Sequence, residues 1–169
     1  MFIFHWSYIF LFLSLSIAVY TDITKYKIYN VLTFPTILLG CIFSFFNGVG
    51  ILDSLGGFSV AFVIGLIFFA TKGLKGGDVK LICAVGAWVG LQFVVNTILY
   101  ILVCGGILSI FYSIIGGTFV ETSKKVGRFF SALITPGMNA RSEIETSINK
   151  PVPYGIAIFL GTLISFLLR

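Results

Sequence analysis

The sequence predicts an all-α integral membrane protein, a bundle of six transmembrane helices with one long cytoplasmic loop. Hydrophobic residues make up 58% of the 169-residue chain and charged residues only 10%, whereas soluble domains contain about 25% charged residues. Apolar runs of spanning length recur along the chain. The basic residues are concentrated in alternate gaps between these runs. We expect a single membrane-embedded domain over residues 1–169.

Six apolar runs are long enough to cross a bilayer, since a span needs about 17 to 25 residues. In chain order they cover residues 3–20, 28–46, 55–71, 79–95, 97–117 and 152–168. The first run lacks the basic start and the small-residue cleavage site of a signal peptide, so we expect it to be retained. The fourth and fifth are divided only by a weak polar break at residues 92–96. A single helix over both would be about twice the required length.

Basic residues indicate which gaps face the cytoplasm. Ten of the eleven lie in or beside the first, third and fifth gaps, which the positive-inside rule makes cytoplasmic. The fifth gap, residues 118–150, is the predicted cytoplasmic loop, and it forms either an amphipathic surface helix or a plain connection. The chain is then a multi-pass protein of the inner (plasma) membrane with both termini outside the cytoplasm. This topology explains the net charge of +5 without nucleic acid as a partner.

Two carboxylates stand at the cytoplasmic ends of predicted spans. Asp22 follows the first span and Asp78 precedes the fourth. An ionisable group near membrane depth is costly and indicates a functional site. If the first and fourth helices are neighbours, repulsion and desolvation would keep one carboxylate protonated near neutral pH, as in aspartic proteases. Gly76 and Gly77 leave room for a substrate backbone beside Asp78, although Gly-Gly-Asp also suits a turn with a helix cap.

Three segments resemble, in order and spacing, the motifs of the type IV prepilin peptidases, which are membrane aspartic proteases of the GxGD class. Residues 22–30, DITKYKIYN, resemble the family's Asp-x5-Ile-Pro-Asn stretch. Residues 76–81, GGDVKL, resemble its second catalytic motif, and residues 153–156, PYGI, its C-terminal motif. Two positions depart from the pattern. Lys75 stands at the first glycine of GxGD, and Tyr29 stands where proline is usual.

The resemblance implies a role for eight residues. Asp22 and Asp78 would be catalytic, and the residues that bind substrate or support the site would be Gly76, Gly77, Lys80, Asn30, Tyr154 and Gly155. No metal or cofactor is expected, because the three cysteines are far apart within apolar runs.

The resemblance also implies an activity, the removal of the basic leader from prepilin-like precursors at the cytoplasmic face of the bilayer. Pilus or secretion assembly components would be further partners. Paired CxxC motifs are absent, so N-methyltransferase activity is not supported. The single-domain form is similar to the tight-adherence (Flp) pilus branch, with the archaeal preflagellin peptidases as an alternative. From other classes, a small ion- or proton-coupled transporter subunit and a noncatalytic scaffold stay open.

Overall fold

The computed structural model describes residues 6–46, 49–70, 73–115 and 152–168, and these residues form six helices without a strand. In chain order the helices are α1 (Ser7–Lys25), α2 (Asn30–Phe46), α3 (Ile51–Ala70), α4 (Gly76–Val89), α5 (Leu91–Ile115) and α6 (Tyr154–Leu167). The all-α prediction is confirmed. The predicted cytoplasmic loop, residues 118–150, lies outside the described residues.

Three of these helices, α1, α3 and α5, are long and apolar enough to cross a membrane. The helices α2 and α6 are shorter apolar helices, and α4 has 14 residues. The topology of six spans therefore stays a prediction. The chain divides into two compact units, Met1–Gly105 with Pro153–Arg169, and Gly106–Val152. Both candidate carboxylates belong to the first unit.

The break between the fourth and fifth helices lies earlier than predicted. Helix α4 ends at Val89 and α5 begins at Leu91, so the break is at Gly90 and not at residues 92–96. Gly90 has a φ of +81°, a left-handed conformation that glycine adopts without steric cost. Its N–H donates to the Gly86 carbonyl at 3.0 Å. Backbone conformation, and not polarity, therefore sets this boundary.

Helix α4 forms the core of the first unit, because every residue from 81 to 89 is buried. It packs against α3, α2, α6 and α1. Glycines allow the closest approach, since a Cβ atom at Gly57 of α3 would collide with the Gly86 carbonyl oxygen of α4. Small residues at helix contacts are typical of membrane bundles, where close van der Waals packing replaces the hydrophobic driving force.

Buried polar side chains connect the helices. The Trp88 indole N–H of α4 donates to the Thr36 carbonyl of α2 at 2.8 Å. The Ser54 hydroxyl of α3 donates to the Ala87 carbonyl of α4 at 2.6 Å. Bonds of this kind between membrane helices contribute about 0.6 kcal/mol each. They fix α2 and α3 against α4, and α4 carries Asp78 in its first turn.

Candidate active site

Asp22 lies in the last turn of α1 and is only 2% exposed. Its Oδ2 atom accepts a hydrogen bond of 2.7 Å from the N–H of Gly155. Gly155 is the second residue of α6, so its amide has no acceptor within its own helix. A Cβ atom at residue 155 would lie 3.1 Å from the same carboxylate oxygen. The start of α6 approaches Asp22 this closely because residue 155 has no side chain.

Asp78 lies in the first turn of α4 and is likewise 2% exposed. Its Oδ2 atom accepts a hydrogen bond of 2.9 Å from the N–H of Lys75, the residue just before the helix. A carboxylate at this position satisfies an amide that the helix cannot, and it lies at the positive end of the helix dipole. Each candidate carboxylate is therefore oriented by a main-chain amide from the start of a helix.

Both carboxylates line one cavity of about 270 Å³. This volume is enough for several water molecules. The two helices that carry them, α1 and α4, are in contact. The other described residues that line the cavity are Tyr26, Lys27, Ile28, Tyr29, Asn30, Lys75 and Gly77. The structure thus brings the two carboxylates to a common space with room for water.

Asp78 precedes the predicted span that begins at residue 79, and its surroundings raise its pKa from an ordinary 3.8 to about 6. Burial is the main cause, because desolvation disfavours the charged carboxylate. The charge of Asp22 raises the pKa further, whereas the Lys75 amide hydrogen bond and the Lys75 ammonium lower it. Asp78 therefore keeps its proton to a higher pH than an ordinary aspartate.

Tyr26 ends α1 and forms part of the cavity wall. Its φ of 51° is left-handed, which costs a residue with a side chain roughly 1 to 2 kcal/mol. Its N–H donates to the Asp22 carbonyl at 2.9 Å. The Lys75 ammonium lies 5.8 Å from the centroid of the Tyr26 ring, a cation–π distance. This contact joins the α1–α2 connection to the α3–α4 connection beside the cavity.

Two predicted supporting residues, Asn30 and Lys80, are bonded to each other. The Lys80 ammonium donates to the Asn30 side-chain oxygen at 2.7 Å and lies 5.5 Å from the centroid of the Phe34 ring. Asn30 also lines the cavity. Lys80 therefore fixes the start of α2 to α4 at the cavity edge.

The remaining predicted residues differ in their distance from the cavity. Gly77 lines it, and a Cβ atom there would lie 3.1 Å from the Cβ of Ile28. Gly76 is exposed, and its Cβ would meet only a Phe69 ring atom at 3.8 Å, an ordinary contact. The Tyr154 ring lies beside Gly105 of α5 and is not among the cavity-lining residues.

The residues between the two ends of the first motif were missed as site residues. Tyr26, Lys27 and Ile28 line the cavity, whereas in the sequence analysis they contributed only to the first motif and to the assignment of topology. Tyr29 was noted only as a departure from a family pattern, whereas Lys75 was also expected to lower the pKa of the carboxylate pair if its ammonium approached Asp78, and it does lower the pKa of Asp78. One signal in the sequence could have identified them. Asp22 and Asn30 are separated by few residues, and a connection this short must pass close to the Asp22 carboxylate.

The described residues contain no group of three or more His, Cys, Asp or Glu side chains that could hold a metal ion. The chemistry that the cavity offers is that of a carboxylate pair with different surroundings. One carboxyl group that can donate a proton and one that can accept a proton are the two groups that acid–base hydrolysis needs.

Comparison with known proteins identifies the family. No curated protein and no solved structure matches the chain significantly. The sequence profile of the Type IV leader peptidase family matches residues 9–110, more than half of the chain, and this stretch includes both carboxylates. The chain therefore belongs to the Type IV leader peptidase family.

Proposed function

We propose that this protein is a membrane aspartic endopeptidase that removes the basic leader from prepilin-like precursors and uses Asp22 and Asp78 as its catalytic dyad. One observation carries the proposal. Two carboxylates, each 2% exposed, line the same cavity from different helices, and each accepts a hydrogen bond from a main-chain amide. Buried carboxylates are rarely kept without a function, because their desolvation is costly.

In this mechanism the two carboxyl groups have different roles. Asp78 acts in its protonated form, which its raised pKa keeps available to a higher pH than for an ordinary aspartate, and Asp22 acts as the base. Asp22 takes a proton from a water molecule as the water oxygen attacks the scissile carbonyl carbon, and Asp78 gives its proton to the carbonyl oxygen. Collapse of the tetrahedral intermediate breaks the C–N bond, and the proton held by Asp22 passes to the leaving amine. The pair returns to its starting state when Asp78 recovers the proton of the intermediate's hydroxyl group.

The positions of the two residues in their helices suit a substrate that is itself a membrane helix. Asp22 lies three residues before the end of α1, and Asp78 is the third residue of α4. A helix in lipid has all its backbone hydrogen bonds made and resists hydrolysis, so cleavage requires a stretch that has left the bilayer core and unwound. We place the reaction at the cytoplasmic face of the inner membrane, where the basic residues flanking the dyad are expected by the positive-inside rule.

The proposed substrate class is a prepilin-like precursor of the tight-adherence (Flp) type, and archaeal preflagellins are the alternative. The reaction needs no cofactor. Pilus or secretion assembly components are proposed as further partners. An ion-transport role fits less well, since transporters hold their ionisable groups near the bilayer midplane and both aspartates lie near helix ends.

Co-expression with a leader-bearing precursor from the same genome tests the proposal. We expect the wild-type enzyme to shorten the precursor, and we expect the variants Asp22→Asn and Asp78→Asn to leave it full length. The variant Asp53→Asn is the matched control, because Asp53 is an exposed carboxylate in the first turn of α3 and does not line the cavity. Processing by either dyad variant at the wild-type rate would exclude the proposed mechanism.

A further inference from the structure

The connection between α1 and α2 contains a segment, residues 27–29, that runs along the cavity. All three residues line it, and the chain makes neither a turn nor a bend there. The described non-glycine residues with positive φ do not include these three, so their φ angles are compatible with a strand. Lys27 and Tyr29 are exposed and Ile28 is half-buried. The segment therefore runs along the wall of the cavity that Asp22 and Asp78 also line.

Five of the six main-chain N–H and carbonyl groups of this segment have no hydrogen-bond partner among the described residues. The hydrogen bonds found there leave the N–H groups of Lys27, Ile28 and Tyr29 unbonded, together with the carbonyls of Lys27 and Ile28. The Tyr29 carbonyl is the exception, because it accepts from Leu32 and Thr33 in the first turn of α2. Unpaired donors and acceptors at the edge of a cavity are available to a ligand with main-chain groups of its own.

The other connection beside the cavity has its amides paired. The N–H groups of Gly73 and Leu74 donate to the Phe68 carbonyl at 2.9 and 3.3 Å. The N–H of Lys75 donates to the Asp78 carboxylate. The N–H groups without a partner in these two connections are thus those of residues 27–29 and not those of residues 73–75.

Packing against α4 holds the segment in place. A Cβ atom at Gly77 would lie 3.1 Å from the Ile28 Cβ, 3.4 Å from its carbonyl oxygen and 3.6 Å from its nitrogen. Gly77 is adjacent in sequence to Asp78. The absent side chain at residue 77 therefore lets the backbone of Ile28 lie beside the start of the helix that carries the dyad member.

We propose that residues 27–29 are a docking segment that binds the main chain of the substrate polypeptide by strand pairing next to its scissile bond. This inference rests on the proposed peptidase function. A transmembrane substrate loses its helical hydrogen bonds where it unwinds, and pairing with the docking segment replaces them. Strand addition of this type supplies affinity through main-chain bonds and is tolerant of side-chain identity.

Disulfide crosslinking tests the docking segment directly. We expect the variant Asp78→Asn to bind a leader-bearing precursor without cutting it, and Lys27→Cys or Tyr29→Cys is added to this background. Single cysteines are placed in turn at each precursor position within about five residues of the cleavage site, a reach set by the strand rise per residue, and crosslinks are formed with a mild oxidant. The background variant with its native cysteines alone measures nonspecific crosslinking, and Thr24→Cys is the matched control on an exposed position of α1 outside the cavity lining.

Strand pairing predicts a register. Residues 27 and 29 lie on the same side of a strand about 7 Å apart. The precursor position of strongest crosslinking should therefore shift by two residues between Lys27→Cys and Tyr29→Cys. Thr24→Cys should give only background crosslinking.

Two kinds of failure are distinguishable. If the wild-type enzyme cleaves the precursors but the crosslinks show the same maximum for both cysteines, or no maximum, the docking segment is wrong and the peptidase proposal stands. Equal crosslinking by Thr24→Cys overturns the docking segment as well. If the wild-type enzyme cleaves none of the genome's leader-bearing precursors, the proposed function itself fails and the docking inference fails with it.

Discussion

Replacing Asp78 by asparagine should abolish activity and yet stabilise the folded protein at neutral pH. The asparagine side-chain oxygen can still accept the hydrogen bond that the Lys75 N–H donates to the carboxylate. It cannot act as a general acid, and loss of such a group lowers rates by about 100- to 10,000-fold. The side chain is nearly isosteric, so the packing of the 2%-exposed position is retained.

The stability effect follows from the raised pKa of Asp78. Folding raises that pKa from 3.8 to about 6, so the folded protein binds this proton more tightly than the unfolded chain does. The contribution of Asp78 to the free energy of unfolding therefore falls as the pH rises from about 3.8 to about 6 and is level above that range. The total loss is about 3 kcal/mol. The asparagine side chain of the variant Asp78→Asn is uncharged at all of these pH values, so the variant does not lose this stability as the pH rises.

Thermal unfolding in detergent micelles at about pH 4.5 and about pH 7.5, on either side of the raised pKa, measures this difference, with Asp53→Asn as the control for a surface carboxylate. The midpoint of Asp78→Asn should rise relative to that of the wild type between the two pH values, by several degrees, since 1 kcal/mol corresponds to roughly 2–4 °C for a chain of this size. A midpoint difference that does not change with pH would refute the burial argument. Full peptidase activity of the variant would refute the role of Asp78 as a general acid.

Three further tests, two of them with a control substitution, examine the surroundings of the two aspartates. Gly77→Ala should cleave the precursor much more slowly than the wild type, because the added Cβ displaces the α1–α2 connection. Gly76→Ala is the control and should cleave at nearly the wild-type rate. Equal rates for the two variants would contradict the packing argument. Gly155→Ala should lower both the stability and the kcat of the purified enzyme, because the new methyl group presses on the α1 carboxylate; unchanged kcat would show that its position is not critical. Lys75→Met should move the alkaline limb of the pH–rate profile to higher pH, because the Lys75 ammonium lowers the pKa of Asp78. Lys75→Arg keeps the positive charge and should leave this limb in place. A shift of the limb to lower pH in Lys75→Met would contradict the effect assigned to the ammonium.

Sequence reasoning found the helices because apolar runs of spanning length need no tertiary information. It also found both carboxylates, since charge is rare enough in this chain to be conspicuous. The boundary at Gly90 was missed because a positive φ leaves no mark in a hydropathy pattern. The contact between Gly155 and Asp22 joins residues 133 positions apart, and only the fold reveals that the amide of one motif orients the carboxylate of another.

The same limit explains why the irregular wall of the cavity was not predicted. Residues 26–29 have no apolar periodicity, and their value lies in backbone groups that every residue type possesses. Tyr26 is a clear case, because nothing in its side chain indicates that it adopts a left-handed φ of 51°. A single sequence therefore gives the least information about those parts of a site that act through the main chain.

The structure also answers the question raised by Lys75 at the first position of the GxGD pattern. Lys75 has a φ of −85° and a ψ of 158°, an extended conformation that any residue adopts without strain. Its main-chain N–H, which is the group that binds Asp78, is present whatever the side chain. The Lys75 side chain is exposed and contributes a charge that favours the ionised form of Asp78. Glycine at this position is therefore not needed for the backbone geometry around Asp78. The lysine side chain lowers the pKa of Asp78, and in the proposed mechanism this shifts the pH range in which Asp78 serves as an acid.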